Sequence, residues 1–310
     1  MATRKGVIAD LMLVLICLFW GMSFIMVKTA IMELDLYWFL FLRFALATAI
    51  LLVVFAGRLK RFTFRSFRDG FILGSVLFSA FVLQTIGLTY TSASNAGFIT
   101  GLHVILVPFI LAVFFRKMPA ATATIGAVIS AAGLFLLTVG DDFSINRGDV
   151  WVIACSVSVA FHVILTGWYA VKHDVYLVAI AQMVAMTAWA GVSAVTVGKA
   201  PHALSGYVIV AIVFLAIFAT AFNFTVQTWA QQYTSPTRAA VIFTMEPVFA
   251  AVFAYWWGGE VLRGRGYIGA ALILAGIIFS EFRAKQWREE KACEPSIPEE
   301  GPKERIESGR

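Results

Sequence analysis

Long apolar runs separated by short polar breaks fill the chain from its start to about residue 282. Residues 70–102 contain no charged side chain, and neither do residues 175–198 or 203–237. Each of these runs can hold at least one helix of about 20 residues, the length that crosses a bilayer. The pattern predicts an all-α membrane protein with ten transmembrane helices, spans one to ten, at about residues 8–32, 36–56, 70–90, 95–115, 121–139, 149–171, 175–198, 205–231, 237–258 and 266–282.

The pattern also contains an internal repeat. When the chain is shifted by 143 positions, residues 81–135 and 224–278 are identical at 13 of 55 positions without a gap. The shared polar residues indicate a true repeat rather than chance similarity. An apolar composition produces chance matches among Val, Leu and Ala but not among Gln, Thr and Tyr. Gln84 and Gln227 match, as do the Tyr-Thr-Ser triplets that begin at Tyr90 and Tyr233. The sequence therefore predicts two five-helix repeats, residues 8–139 and 149–283.

Composition supports a membrane chain and adds two details. The chain is 60% apolar with a mean hydropathy of +0.85, and 14% of its residues are charged, against about 25% in soluble proteins. The net charge of +6 would suit a nucleic-acid partner, but the basic residues flank the spans, so the lipid bilayer is the expected partner and nucleic acid is not. Residues 284–310 are highly charged and are predicted to form a disordered cytoplasmic tail.

Lys and Arg are distributed unevenly between the two sides of the predicted bundle. With the N-terminus inside, 18 of the 24 fall on the cytoplasmic side, five fall outside, and Arg43 lies within span two. Since cytoplasmic loops carry the excess of Lys and Arg, both termini are predicted to be cytoplasmic. A repeat of five spans is odd, so the second copy must be inverted relative to the first. Inverted repeats are a transporter architecture that lets a central site face each side in turn.

Four ionisable residues fall within spans, where a central charge costs roughly 2.5–3.5 kcal/mol: Arg43, His103, His162 and Glu246. His103 and Glu246 are 143 positions apart and therefore equivalent in the two repeats. Glu246 lies about 15 Å deep at 1.5 Å per residue, near the middle of a core about 30 Å thick. One interpretation is that both residues line the substrate path and carry a proton. The other is that His103 is packed and Glu246 bonds backbone that Pro247 leaves unpaired.

Arg43 and Trp20 each allow two interpretations. Arg43 could pair with an acidic group of a substrate, with Glu33 or with Asp35, or its stem could extend so that the guanidinium reaches the surface. Trp20 lies deep in span one, where it could either pack in the core or line a cavity for an amphipathic ligand. We keep both residues as candidates for the substrate pathway.

Span eight carries a stripe of polar residues on one helical face, with spacings of 4, 4 and 3: Asn223, Gln227, Gln231 and Thr234. Amides that faced lipid would be costly, so the stripe is predicted to point inward. Hydrogen bonds between helices, worth about 0.6 kcal/mol each, could explain most of it. Gln227, its repeat partner Gln84 and Asn223 are the candidates for contact with substrate.

Spans five and ten are rich in small residues, among them Gly126, Gly133, Gly269 and Gly276. Small residues let helices approach closely, so these spans are predicted to be scaffold or oligomer contacts, and a homodimer through them is a hypothesis. The sequence has no cluster of metal ligands, no phosphate-binding glycine loop and no nucleophile with an evident base. We therefore expect no catalytic residue, no metal and no cofactor, and the chain is not expected to be an enzyme.

Two segments resemble a known family. The segment Met245-Glu246-Pro247-Val248-Phe249, which runs on to Gly258-Gly259-Glu260, and the segment Trp20-Gly21-Met22-Ser23-Phe24 are similar to motifs of EamA-type transporters in the drug/metabolite transporter superfamily. The resemblance covers about residues 8–283. It departs in the first copy, where Arg116-Lys117 stands in place of the Gly-Glu that the family often has. The resemblance implies a permease of the bacterial inner membrane, with spans one to four and six to nine around a cavity. It also implies substrates such as amino acids, other metabolites or drugs.

The sequence thus predicts a secondary transporter of small metabolites that works by alternating access, with proton coupling and exchange both open. Its predicted pathway residues are His103, Glu246, Gln84, Gln227, Asn223, Arg43 and Trp20. The alternative is an intramembrane enzyme or a receptor without net transport. A polar cavity between the two repeats would favour transport, and a fully packed centre would exclude it.

Overall fold

The computed structural model describes residues 4–91, 93–138, 147–201, 203–258 and 264–281, and every regular element within these ranges is helical. The predicted tail lies outside the described residues. We call residues 4–138 the first half and residues 147–281 the second half. The first half contains a 3₁₀ turn at Ala56–Arg61 and six α-helices: α1 (Arg4–Glu33), α2 (Leu36–Val54), α3 (Phe64–Leu88), α4 (Ala93–Gly101), α5 (His103–Val113) and α6 (Ala121–Thr138).

The second half contains a π-helical turn at Ile217–Phe222, between α9 and α10. Its seven α-helices are α7 (Arg147–Ala170), α8 (Val175–Thr196), α9 (Gly206–Ala216), α10 (Asn223–Ala230), α11 (Pro236–Phe243), α12 (Met245–Gly258) and α13 (Gly264–Glu281).

Several helices begin at a polar residue whose side chain accepts a backbone N–H of the first turn. Asp35 accepts from the backbone at the start of α2, Asp174 at the start of α8 and Ser235 at the start of α11. At the start of α3, the side chains of Thr63 and Ser66 each bond the other's backbone N–H. These caps pair N–H groups that a helix leaves unpaired at its beginning, and they explain why the short polar breaks separate the apolar runs as they do.

Seven helical segments are long and apolar enough to cross a membrane: Arg4–Glu33, Leu36–Val54, Phe64–Leu88, Ala96–Val113, Arg147–Ala170, Val175–Thr196 and Gly206–Ala230. Two further apolar helices, Ala121–Leu137 and Gly264–Ser280, are shorter. The helical class and several membrane crossings are therefore confirmed. The count of ten spans in two repeats stays a prediction, as do the two domain ranges.

Spans four and nine, predicted as single helices, are each broken in two. The break falls at Leu102, between α4 and α5, and at Thr244, between α11 and α12. These positions are 142 apart, one less than the repeat offset, so the breaks are nearly equivalent. In the second half Pro247 has no N–H for the carbonyl of Phe243, which accounts for the interruption. The first half has no proline at the matching position, but its break directly follows Gly101, and glycine is about 1 kcal/mol less favourable than alanine in a helix.

Span eight also differs from a regular helix. Its central turn is π-helical, and the Thr220 hydroxyl donates to the carbonyl of Leu215, five residues earlier, at 2.8 Å. π-Helical turns inside α-helices are rare and occur often at functional sites. This turn changes which backbone carbonyls face the neighbouring helices.

The small residues of spans five and ten pack against one another within the chain. A Cβ atom added at Gly126 would lie 2.6 Å from the carbonyl oxygen of Gly276, and one at Gly269 would lie 2.5 Å from that of Gly133. Only glycine allows backbones so close. The scaffold interpretation thus fits α6 and α13, while a homodimer through their outer faces stays a prediction.

The two halves interlock rather than lie side by side. α1 packs against α10 and α12, α2 packs against α8, and α3 packs against both α7 and α8. Gly21 permits the contact with α12, since a Cβ there would lie 2.8 Å from the backbone nitrogen of Ala250 and 2.9 Å from the carbonyl of Glu246. The space between the halves is therefore bounded by helices from both.

Candidate functional site

A cavity lies between the two halves, lined by residues of α1 to α5 from the first half and of α7, α10, α11 and α12 from the second. It offers about 90 Å³ to the centres of water-sized molecules, which is room for several waters. Most of its wall is apolar. Its polar side chains are Ser23, Arg43, Gln84, Thr85, Thr100, His103, Cys155, His162, Gln227 and Glu246.

Six of the seven predicted pathway residues line this cavity: Trp20, Arg43, Gln84, His103, Gln227 and Glu246. Asn223 does not. Its side chain is fully buried and donates to the carbonyl of Ile16 on α1 at 3.0 Å. The structure therefore gives Asn223 the helix-joining role that the sequence left open, and its assignment to the pathway has no support in the geometry.

Arg43 does not reach the surface and pairs with neither Glu33 nor Asp35. It is 2% exposed, and Asp35 instead caps α2. The Nε of Arg43 donates to the Thr220 hydroxyl at 2.7 Å, and its Nη2 donates to the carbonyl of Ala219 at 3.3 Å. Both acceptors belong to the π-helical turn. The sequence could not indicate this contact because it depends on that turn.

The imidazole of His103 stands at the start of α5, beside the break in span four. Its Nδ1 lies 2.9 Å from the carbonyl oxygen of Thr100. A carbonyl cannot donate, so Nδ1 carries the proton in this contact and, in the neutral ring, Nε2 is an acceptor. Nε2 is buried and has no hydrogen-bond partner among the described residues. The ring therefore carries one nitrogen without a partner in the described structure, although that nitrogen itself is not exposed to the cavity.

Thr100 forms hydrogen bonds with Gln84 and His103 of the first half and with Ser156 of α7. The Nε2 of Gln84 donates to its hydroxyl at 3.2 Å, and the Ser156 hydroxyl donates to its carbonyl at 3.3 Å. That carbonyl is the one that holds His103. The broken helix thus fixes the position of the predicted Gln84 and His103 through one residue that the sequence did not single out.

Glu246 lies in the first turn of α12, just after the break at Thr244. Its side chain is partly exposed and, within the described ranges, forms no hydrogen bond or ion pair. The alternative in which Glu246 bonds backbone freed by Pro247 is therefore not what the structure shows. A carboxylate at the start of a helix also benefits from the positive end of the helix dipole.

His162 was noted in the sequence but not selected, and it too lines the cavity. Its Nε2 lies 3.3 Å from the Gln182 side chain on α8 and 3.5 Å from the Thr166 hydroxyl. His162 has no acidic or polar equivalent in the first half at the repeat offset, so the pairing argument that found His103 could not find it. Its depth within span six was the available signal.

Gln227 presents an amide oxygen without a partner among the described residues. Its Nε2 donates to Gln231 at 3.1 Å, and Gln231 in turn donates to the carbonyl of Val163 at 2.9 Å. The polar stripe therefore divides into two functions. Gln231 joins helices, while Gln227 lines the cavity and has a buried amide oxygen without a partner in the described structure.

Aromatic rings form much of the remaining wall. Trp20 lies 5.3 Å from Phe243 and 5.6 Å from Phe224 between ring centroids, and Phe224 lies 5.9 Å from Phe81. The Trp20 Nε1 donates to the carbonyl of Ala219 at 3.3 Å, so its polar edge is occupied and its ring face remains for a ligand. Such a wall suits a ligand with an apolar body.

The cavity borders the C-terminal half of α1, and the N-terminal half buries one face. Leu13 and Ile16 are fully buried in an apolar cluster to which α5, α7 and α11 also contribute, while Val7, Ile8 and Leu11 are exposed. At this end the Nη2 of Arg238 on α11 donates to Asp10 on α1 at 2.6 Å, and both side chains are mostly buried. The bundle is thus closed across the two halves at the end that carries the N-terminus of α1.

Within the described residues, no group of three or more His, Cys, Asp and Glu side chains is placed to hold a metal ion. Cys17 and Cys155 are both buried free thiols. The groups that face the cavity can therefore bind a small molecule through one guanidinium, one carboxyl, two imidazoles and two amides.

Comparison with known proteins gives consistent results. Residues 7–139 and residues 146–282 each match the sequence profile of the EamA-like transporter family. A protein of Archaeoglobus fulgidus named an uncharacterized transporter is 31% identical over 280 residues, which cover 90% of this chain and 87% of that protein. A second uncharacterized transporter of the same organism is 26% identical over 285 residues, covering 89% and 98%.

Two further similarities are more distant. A chloroplastic WAT1-related protein of Arabidopsis thaliana, At3g02690, is 23% identical over 227 residues, covering 68% of this chain and 53% of that protein. A solved crystal structure matches with a TM-score of 0.76 and 16% identity, over 92% of this chain and 99% of that chain. At this identity the likeness concerns the fold alone.

Proposed function

The chain belongs to the EamA-like transporter family, and on that premise we propose that it is a secondary transporter that moves a small organic metabolite by alternating access. Membership in this family and several membrane-crossing helices make it a multi-pass membrane transporter. The substrate, the mechanism and the site are the proposal.

The observation that carries the proposal is the cavity between the halves, in which Glu246 and His103 stand at equivalent positions. Each follows a break in a predicted span, and half-helices that begin at a central site are a feature of transporters built from repeats. Neither the Glu246 carboxyl nor the His103 Nε2 has a partner within the described ranges. Glu246 is partly exposed and can meet a substrate or a proton directly, whereas the buried Nε2 becomes accessible only after a local movement of its surroundings.

The two family matches, residues 7–139 and 146–282, agree with the repeat read from the sequence and support two five-helix units. Ten spans with an inverted second unit would give two related shapes, each open to one side. With both termini in the cytoplasm and the chain in a bacterial inner membrane, the packed end beside Asp10 and Arg238 would face inward. The structure would then represent an outward-facing state.

Counterflow in liposomes tests the proposal. Purified protein is reconstituted, loaded with a mixture of amino acids and small organic acids, and assayed for uptake of each labelled compound. We expect at least one compound to be taken up well above the rate of empty liposomes. Glu246→Gln should reduce this uptake by about ten-fold or more, since it removes a charge from the cavity while keeping its shape.

Glu33→Gln is the matched control, because it removes a carboxyl from the exposed end of α1, outside the cavity. It should transport like the unmodified protein. If Glu246→Gln inserts normally and keeps full activity, Glu246 has no part in the mechanism. If the unmodified protein moves none of the compounds and shows no uptake in a broader metabolite mixture, the transport proposal itself fails.

A further inference from the structure

The guanidinium of Arg43 is the only Lys or Arg side chain among the described residues that line the cavity. We infer that Arg43 binds the carboxylate of the transported molecule, and that the substrates are small organic acids with a single negative charge and an apolar body. This inference rests on the proposed transport function and adds the chemical class of the substrate.

Arg43 is buried without a counter-ion. It is 2% exposed, and none of the ion pairs in the described part of the chain includes it. Arginine stays charged at neutral pH, and a buried charge without an opposite charge is destabilising by several kcal/mol. An anionic ligand in the adjoining cavity would supply the missing negative charge. Binding of an anion should therefore be favoured over binding of a neutral molecule of the same shape.

The donors of Arg43 are only partly used. Nε bonds the Thr220 hydroxyl, and Nη2 makes one bond to the Ala219 carbonyl. Nη1 makes no hydrogen bond within the described ranges, and the second N–H of Nη2 also has no acceptor there. These two nitrogens form the edge of the guanidinium that binds a carboxylate through two parallel hydrogen bonds.

The π-helical turn holds the guanidinium in place. Ala219 and Thr220, which accept from Arg43, both lie in it, and the Ala219 carbonyl also accepts from the Trp20 indole. The rings of Phe81 and Phe44 lie 5.1 Å and 5.8 Å from the guanidinium carbon and attract the cation. A charged group fixed from several sides is preorganised for a ligand.

The rest of the cavity limits the ligand to one negative charge. Among its described lining residues Arg43 is the one permanent cation, so a dianion such as a phosphate ester would lack a second permanent cation. The apolar part of the wall, with Leu77, Phe81 and Phe224, fits a hydrocarbon body next to the carboxylate. Glu246 does not serve as the counter-ion, because it forms no ion pair with Arg43 in the described structure.

Matched compounds test the inference. Phenylpropionate and phenylpropionamide, isocaproate and isocaproamide, and the dianion phenyl phosphate are offered to the protein in liposomes. Uptake is measured by mass spectrometry, and binding by intrinsic tryptophan fluorescence. Bonds to a charged group are worth about 1.5–3 kcal/mol, so each carboxylate should be favoured over its amide by at least about ten-fold. Arg43→Gln should reduce that preference to less than about two-fold.

Arg58→Gln is the matched control, since it removes a guanidinium that pairs with Asp174 at a partly exposed site outside the cavity. It should keep the preference. Thr220→Val is a second variant if Arg43→Gln does not fold. It retains the cation but removes the acceptor of Nε, so the KM for the carboxylate should rise several-fold with a smaller change in kcat.

The outcomes separate the two proposals. The anion site would be overturned by equal binding and uptake of acid and amide, or by stronger binding or uptake of phenyl phosphate. A preference for the carboxylate that persists in Arg43→Gln would also overturn it. No binding of any pair would overturn it as well. Preferential binding of the carboxylates that is lost in Arg43→Gln, without uptake of any compound, would support the anion site and refute transport.

Discussion

The His103 ring has a hydrogen-bond partner at one nitrogen and none in the described structure at the other. Its Nδ1 bonds the Thr100 carbonyl, while Nε2 is buried in the cavity wall without a partner in the described structure. A ring fixed in this way can accept a proton at Nε2 without changing its position. The other titratable or charged groups of the cavity are Arg43, His162, Glu246 and the Cys155 thiol.

Replacing His103 tests whether it handles protons. If it does, His103→Gln should flatten the dependence of the transport rate on pH between about pH 5 and 8, the range in which histidine titrates. His173→Gln is the control, because His173 pairs with Asp69 away from the cavity. An unchanged pH profile in His103→Gln, with His173→Gln also unchanged, would assign the pH dependence to another group.

Sequence reasoning found individual pathway residues where a polar group interrupted an apolar span. That signal selected Glu246, His103 and Gln227, and all three line the cavity. It also selected Asn223, which does not line the cavity, because a polar residue in a span can equally bond a neighbouring backbone. It also could not place the Arg43 guanidinium, whose partners are set by the π-helical turn.

At the level of helices, the close contact of α1 with α12 fixes where Glu246 stands. Gly21 lies against the backbone at Glu246 and Ala250, with no room for a Cβ atom. The Trp-Gly segment of span one and the Glu-Pro segment of span nine, which carried the family resemblance, are therefore in direct contact. The sequence could relate each segment to a family but not to the other.

Gly21→Ala should displace α12 and disturb the site. A Cβ at 2.8–2.9 Å from backbone atoms forces the two helices apart, so we expect transport to fall by about ten-fold or more. Gly97→Ala is the control, since nothing lies within 4 Å of a Cβ there and alanine favours a helix by about 1 kcal/mol. Equal activity of the two variants would show that the close contact does not matter for function.

The helix breaks show what periodicity can and cannot predict. Apolar runs indicated helices in the right places, since every predicted span contains at least one helix. The break at Thr244 had a cause in Pro247, whereas the break at Leu102 follows Gly101, which weakens a helix without by itself predicting a break. The π-helical turn at Ile217–Phe222 likewise could not be predicted from the pattern of apolar residues.

Across the whole molecule, the interface between the two halves contains a cavity in one part and is closed at the end that carries the N-terminus of α1. The C-terminal half of α1 borders the cavity, and one face of its N-terminal half is buried in a cluster with helices of both halves. Asp10 and Arg238 join α1 to α11 at the packed end. The proposed alternating access requires that this end open while the other closes, so we expect the ion pair to break in the second state.

The central claim is that one cavity faces the two sides of the membrane in turn. The most direct test is the reactivity of a single thiol in the cavity. Ser23 lines it and is partly exposed, so Ser23→Cys, in protein whose three native cysteines are replaced by serine, reports on access. A membrane-impermeant maleimide is applied to right-side-out and to inside-out vesicles.

The account predicts that Cys at this position reacts from both sides. Adding Asp10→Asn, which breaks the ion pair at the packed end, should raise the rate from the side of the α1 N-terminus and lower it from the opposite side. Reaction from one side only, in both the single variant and the Asp10→Asn variant, would contradict alternating access and would describe a fixed pocket instead.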